Sequence, residues 1–167
     1  VKGSVGAVVG LHALSVLAED FGESLEASCR YFAPLGLELE LLSQVHLEGQ
    51  APALPIFATD PGRLSPQQER LYALRPPWPS DEVAVFFVGS MPPMLCKGFS
   101  HPALGIALVA RGAPILTLAH ELGHLLGLEH VPEAGNLMYA WGPQGPDAEL
   151  EPSQVQALLA AASARSG

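Results

Sequence analysis

One eleven-residue run constrains this chain more than any other stretch: His120-Glu121-Leu122-Gly123-His124-Leu125-Leu126-Gly127-Leu128-Glu129-His130. Residues four apart on a helix share a face, one turn from each other. His120 and His124 therefore present two imidazoles to one point, where a tetrahedral zinc ion can take both. Glu121 sits at the edge of the same face. Its carboxylate reaches a water at the metal without ligating the metal, which is the geometry of a general base. Gly127 accepts a positive φ, so the helix can stop there and the chain can turn back. That turn brings His130 to the metal from outside the helix. Three neutral imidazoles leave a fourth position for water, an open catalytic site rather than a closed structural one. The competing reading is an apolar core helix from Ile115 to Leu126 whose histidines only hydrogen-bond. The full HExxHxxGxxH spacing is far more demanding than HExxH and favours the metal, with Leu118, Leu122, Leu125 and Leu126 packing behind the helix.

The same run resembles the zinc signature of the metzincin metallopeptidases, which add a methionine turn beneath the metal. Gly135-Asn136-Leu137-Met138-Tyr139 follows His130 at the matching distance, and His120 to Tyr139 is most similar to the matrixins. Two positions depart from the matrixin pattern: Val131 stands where serine is usual, and Ala140 where proline is usual. The resemblance implies an α+β, metzincin-like (zincin) fold. Its parts are a twisted, mostly parallel sheet with an antiparallel edge strand, a zinc helix, a Met-turn and a C-terminal helix. It also implies one catalytic domain over residues 1–167, with an upper lobe of about 1–127 and a lower lobe of about 128–167. The cleft lies between the lobes, and an extended peptide can add to the edge strand on its rim.

On the same resemblance the chain is a zinc endopeptidase acting on a peptide or protein. One Zn²⁺ is held by His120, His124 and His130, Glu121 is the base, and Met138 is a hydrophobic floor and not a ligand. The resemblance favours a secreted or extracytoplasmic setting, although the residues themselves leave the compartment open. Tyr139, Ala140 and Trp141 either wall the pocket for the residue after the scissile bond or pack under the last helix. Astacins and serralysins bind zinc through a tyrosine two positions after the methionine. Ala140 stands there, so no tyrosine ligand is expected. Matrixins also hold a structural zinc and calcium, but residues 98–114 offer only His101 and no acid, so neither ion is expected. A rival from another class is a catalytically silent or self-inhibited module on the same fold that holds zinc and only captures peptides.

Composition narrows the partners. With 167 residues, 49% apolar and 15% charged, the chain suits one folded domain, and a monomer is expected. A net charge of −9 without a basic run argues against nucleic acid or an anionic membrane. No unbroken apolar run approaches the length of a transmembrane helix. Cys29 and Cys96 can form one disulfide or stay free. The surroundings of Cys96 do not resemble the matrixin prosegment motif.

Along the chain, Val5 to Leu17 reads as a first strand, broken at Gly10, rather than as a leader peptide. Phe21 to Phe32 reads as a helix ended by Pro34 and Gly36. Leu37 to Val45 alternates as a half-exposed strand, and the strand–helix–strand order predicts a parallel pair. Gly49 to Pro61 reads as a proline-rich loop. Ser65-Pro66 starts a short helix to about Leu74, and Glu82 to Val88 is a central strand. Met91 to Gly98 turns, Gly98 to His101 is a short edge strand, and Gly105 to Val109 is a further strand. Pro114 occupies the first turn of the zinc helix. Pro152 begins the last helix, with Val155, Leu158 and Leu159 inward. His12, His46 and His101 read as surface or satisfied histidines.

Overall fold

The computed structural model describes residues 6–16, 21–47, 63–91, 97–143 and 145–165. The expected ends of the first strand, the proline-rich loop and Cys96 lie outside the described residues. The strands are β1 (Ala7–Ser15), β2 (Leu37–His46), β3 (Val83–Val88), β4 (Gly98–His101) and β5 (Ile106–Ala110). The helices are α1 (Gly22–Phe32), α2 (Pro66–Tyr72), α3 (Thr117–Leu125) and α4 (Pro152–Arg165). The described strands form one sheet in the order β2-β1-β3-β5-β4. Every neighbouring pair is parallel except β4–β5, so β4 is an antiparallel edge. This is the α+β layout expected above.

The order follows from burial. β3 reads Val-Ala-Val-Phe-Phe-Val and is buried at every position, as a strand covered on both faces must be. Val83, Val85 and Phe87 face a core shared with Leu25 and Phe32 of α1, Leu118 and Leu122 of α3, and Leu158 of α4. Ala84, Phe86 and Val88 face the opposite core with Leu71 of α2. Ser65 caps α2, accepting from the Gln68 N–H, and the Gln68 side-chain oxygen accepts from the Ser65 N–H, a reciprocal capping box.

Three boundaries differ from expectation. β1 runs unbroken through Gly10, where the Leu42 and Glu82 side chains fill the space a Cβ would take. β2 does not keep its alternation past Leu41. The register slips by one residue opposite Leu11 and His12, so Leu41 pairs with Leu11 and Ser43 with His12. Leu42 is the extra residue of a β-bulge, and a slip of one exchanges the faces of everything that follows. Leu37 and Leu39 therefore join the α1 core, whereas Val45 joins the opposite one. Finally, α3 begins at Thr117, and Pro114 lies one turn earlier, its carbonyl accepting the Thr117 N–H at 2.9 Å. Among the described residues no helix is long and apolar enough to cross a membrane.

Candidate metal centre

α3 runs back along the sheet, with Leu118, Leu122 and Leu125 in the core. Gly127 has φ 86°, a left-handed conformation that costs glycine little. The Leu128 N–H then closes on the Gly123 carbonyl at 2.9 Å, and the chain reverses. His130 thereby meets the two helical histidines. The three Nε2 atoms lie 3.2 Å (His120–His124), 3.0 Å (His124–His130) and 3.3 Å (His120–His130) apart. Among the described residues these three form the group of His, Cys, Asp or Glu side chains that could hold a metal ion.

Hydrogen bonds decide which nitrogens face inward. His120 Nδ1 lies 2.7 Å from the Leu137 carbonyl and His124 Nδ1 2.8 Å from the Leu128 carbonyl. A carbonyl only accepts, so both Nδ1 atoms carry the proton and both Nε2 atoms present lone pairs. Two lone pairs 3.2 Å apart with no proton between them repel unless a cation lies in the gap. Zinc–nitrogen bonds of about 2.0–2.1 Å at tetrahedral angles put the nitrogens about 3.3 Å apart. The triangle matches, and the donor set fits zinc. Burial pushes the His120 imidazole down to about 4 and also lowers that of His124. At neutral pH both are neutral ligands, as metal binding requires.

Glu121 is 6% exposed. Burial pushes its carboxyl up to about 8, offset in part by a hydrogen bond donated by the Ser100 hydroxyl. Gly98 makes room for it, since a Cβ there would collide with Glu121 Oε1 and come within 2.7 Å of Thr117 Cγ2. The edge strand β4 thus touches the carboxylate at two positions.

Met138 is fully buried. Its sulfur lies 2.5 Å from where a Cβ on Gly123 would stand, so the glycine inside α3 lets the methionine pack directly under the helix. The turn is clamped on both sides. Val131 and Met138 bond through backbone at 2.9 Å, as do Leu137 and Glu149 at 2.8 Å. Asn136 Oδ1 accepts the Met138 N–H at 2.8 Å, and Asn136 Nδ2 donates to Gln154 Oε1 at 2.8 Å, tying the turn to α4. The Ala140 N–H donates to the Val131 carbonyl at 3.2 Å, a bond that a proline at this position could not make. Tyr139 is half-buried, whereas Ala140 is exposed and Trp141 is 84% exposed, so Trp141 does not pack under α4.

Ser100, Gly98, Asn136 and Gln154 were not singled out by sequence. Only Asn136 carried a local signal, since asparagine commonly binds the backbone two residues on. His101 also differs from expectation. It is buried, its Nε2 has no hydrogen-bond partner, and its ring packs against Tyr72 and Phe99.

Residues 110–159, from the end of β5 into α4, match the Matrixin peptidase family model. No curated protein matches the chain in sequence. Among solved structures, metalloproteinase-II from Bacteroides fragilis is similar at TM-score 0.65 and 17% identity, over 95% of this chain and 54% of that one. The chain therefore spans about half the length of that protein. Archaemetzincin from Methanopyrus kandleri is similar at TM-score 0.61 and 12% identity, over 95% and 98% of the two chains. A zinc-dependent peptidase from Methanocorpusculum labreanum (strain Z) is similar at TM-score 0.51 and 18% identity, over 89% and 100%. The fold is metzincin-like. The matrixin segment contains all three histidines of the cluster.

The Asn136 clamp gives a direct test. Asn136→Ala leaves the Met138 N–H without its acceptor, a loss of about 1–3 kcal/mol in stability. It also loosens the Leu137 carbonyl that orients His120. Outer partners of this kind typically set about 10–100-fold of metal affinity, so the zinc Kd, read by chelator competition, is expected to rise by at least about ten-fold.

Proposed function

We propose that this metzincin-like chain is a zinc-dependent endopeptidase that hydrolyses peptide bonds with Glu121 as general base. The observation that carries the proposal is the convergence of the three Nε2 atoms, with the buried Glu121 next to His120 in the chain. His120, His124 and His130 hold one Zn²⁺. When bound, zinc supplies Lewis-acid chemistry, acidifying a water and polarising a carbonyl.

Glu121 does the proton work. Its buried, weakly acidic carboxylate takes a proton from the attacking water, and the same oxygen returns it to the departing amine nitrogen. The Ser100 hydroxyl keeps the carboxylate aimed, and Gly98 leaves it room. Because Ser100 belongs to β4, a peptide paired along that edge runs past the base. Strand addition supplies backbone hydrogen bonds irrespective of side chain. In this proposal an upper lobe of about 1–127 and a lower lobe of about 128–167 flank the cleft, and Met138 is its floor.

The base is tested by Glu121→Gln, which keeps the shape and removes the proton acceptor. Zinc content is expected to stay at one per chain, while kcat/KM for a peptide falls by about 10²–10⁴-fold, the usual contribution of such a group. Unchanged cleavage in the zinc-loaded variant refutes the role.

Tyr139, Ala140 and Trp141 are proposed to line the pocket for the residue after the scissile bond. The exposure of Trp141 leaves its ring available to a substrate side chain. No lysine or arginine lies between Arg111 and Arg165, so nothing basic serves this stretch. Burying an apolar side chain there gains about 1.5–3 kcal/mol, and an unpaired charge is penalised. A peptide-library digest is expected to show leucine, methionine or an aromatic after the cut bond, and poor cleavage before aspartate or glutamate. A profile dominated by charged residues at that position rules this lining out.

A further inference from the structure

On the face of the sheet opposite α3, three side chains from distant parts of the chain form a hydrogen-bonded line. His12 of β1 is 6% exposed. Its Nε2 lies 2.6 Å from Glu82 Oε2, and its Nδ1 lies 2.7 Å from Ser43 Oγ. A carboxylate only accepts, so Nε2 carries the proton of the neutral ring. Nδ1 is then an acceptor, and the Ser43 hydroxyl donates to it. The order is hydroxyl to imidazole to carboxylate, which is how a nucleophile, its base and the group that orients the base are arranged. Such constellations are recognised by geometry and role rather than by chain order.

The surroundings fix the ring and leave Ser43 partly exposed. Trp78 stacks flat on His12, with centroids 3.8 Å apart and planes 4° from parallel. The bulge at Leu42 sets Ser43 opposite His12, where an unbroken register would have set Leu42. Ser43 itself is half-buried, and Glu82 is 24% exposed at its side chain. Leu42 lies over Gly10 beside Glu82, and Leu42 and Val8 are 41% and 36% exposed. Leu42 precedes Ser43 in the chain, so its exposed side chain offers apolar surface near the nucleophile, enough for a short acyl chain.

We propose that Ser43, His12 and Glu82 form a second reactive centre, independent of the zinc site, in which Ser43 is an acylatable nucleophile for short-chain esters. Ser43 Oγ bonds to the ester carbonyl carbon as its proton passes to His12 Nδ1. The bond from that carbon to the alcohol oxygen breaks, and the alcohol leaves with the proton from His12. A water oxygen then bonds to the acyl carbon as His12 takes one of its protons, the carbon–Oγ bond breaks, and Oγ takes that proton back from His12, which releases the carboxylic acid and restores the Ser43 hydroxyl. Glu82 holds the ring and stabilises its charged form without taking the proton.

The test is a fluorophosphonate probe on the zinc-loaded full chain, read by intact mass and peptide mapping. The probe reports the same nucleophile, since Oγ bonds to phosphorus, fluoride departs and His12 takes the proton. One adduct on Ser43 is expected, absent in Ser43→Ala. In Glu82→Gln, which keeps the hydroxyl and weakens only the orienting carboxylate, labelling is expected to slow by at least about ten-fold, with an unchanged circular dichroism spectrum. In Glu121→Gln the labelling rate is expected to stay within about two-fold of the parent. An unlabelled folded parent chain, an adduct mapped to another residue, or an equal rate in Glu82→Gln overturns the proposal.

Discussion

The metal centre depends on two hydrogen bonds, from His120 Nδ1 to the Leu137 carbonyl and from His124 Nδ1 to the Leu128 carbonyl. They fix the ring orientation and the tautomer together, so that both Nε2 lone pairs meet at one point. Both carbonyls belong to chain beyond α3. The turn at Gly127 delivers Leu128, and the methionine turn delivers Leu137. The methionine turn therefore acts on the metal site through the backbone of the residue before the methionine. Met138 packs against Gly123, Asn136 bonds the Met138 N–H, and Gln154 of α4 holds Asn136. α4 is in this sense part of the site, though it contributes no ligand.

Glu121 is held from the other side. Its neighbours Gly98 and Ser100 lie on β4, the antiparallel edge. The sheet edge supplies the surroundings of Glu121, and the segment after α3 supplies the surroundings of the three histidines. A buried carboxylate without an ion pair would be costly to keep charged. Here the cost appears as a weakened acid, raised by burial and lowered in part by the Ser100 hydrogen bond.

How much of this was legible in the sequence depends on how local the physics is. The helical spacing of His120 and His124 and the turn at Gly127 are properties of adjacent residues, and the three histidines meet as the spacing predicts. The buried run Val83 to Val88 and the capped start at Ser65 were legible for the same reason. The start of α3 lies about a turn later than Pro114 predicts, because proline suits a helix start and the preceding tight turn equally well. The bulge at Leu42 was not read, although the sequence marks it: Leu42 sets an apolar residue where Glu38 and Glu40 predict a polar one, and Ser43 a polar residue where Leu37, Leu39 and Leu41 predict an apolar one. With it went the pairing of Ser43, His12 and Glu82, which are 31 and 70 residues apart along the chain. Contacts of that separation are set by strand register, and no single-strand pattern encodes register. Ser100 escaped notice likewise, because its partner lies across the sheet edge on a helix.

The central claim is that three imidazoles hold one zinc ion through Nε2 and leave a position open. X-ray absorption at the zinc edge of the purified, zinc-loaded chain addresses it directly. The expected result is one zinc per chain, with imidazole scattering from three nitrogens at about 2.0–2.1 Å and one further light atom from solvent. A sulfur shell at about 2.3 Å, a closed set of four protein ligands, or imidazole scattering that survives unchanged in His130→Ala would contradict it.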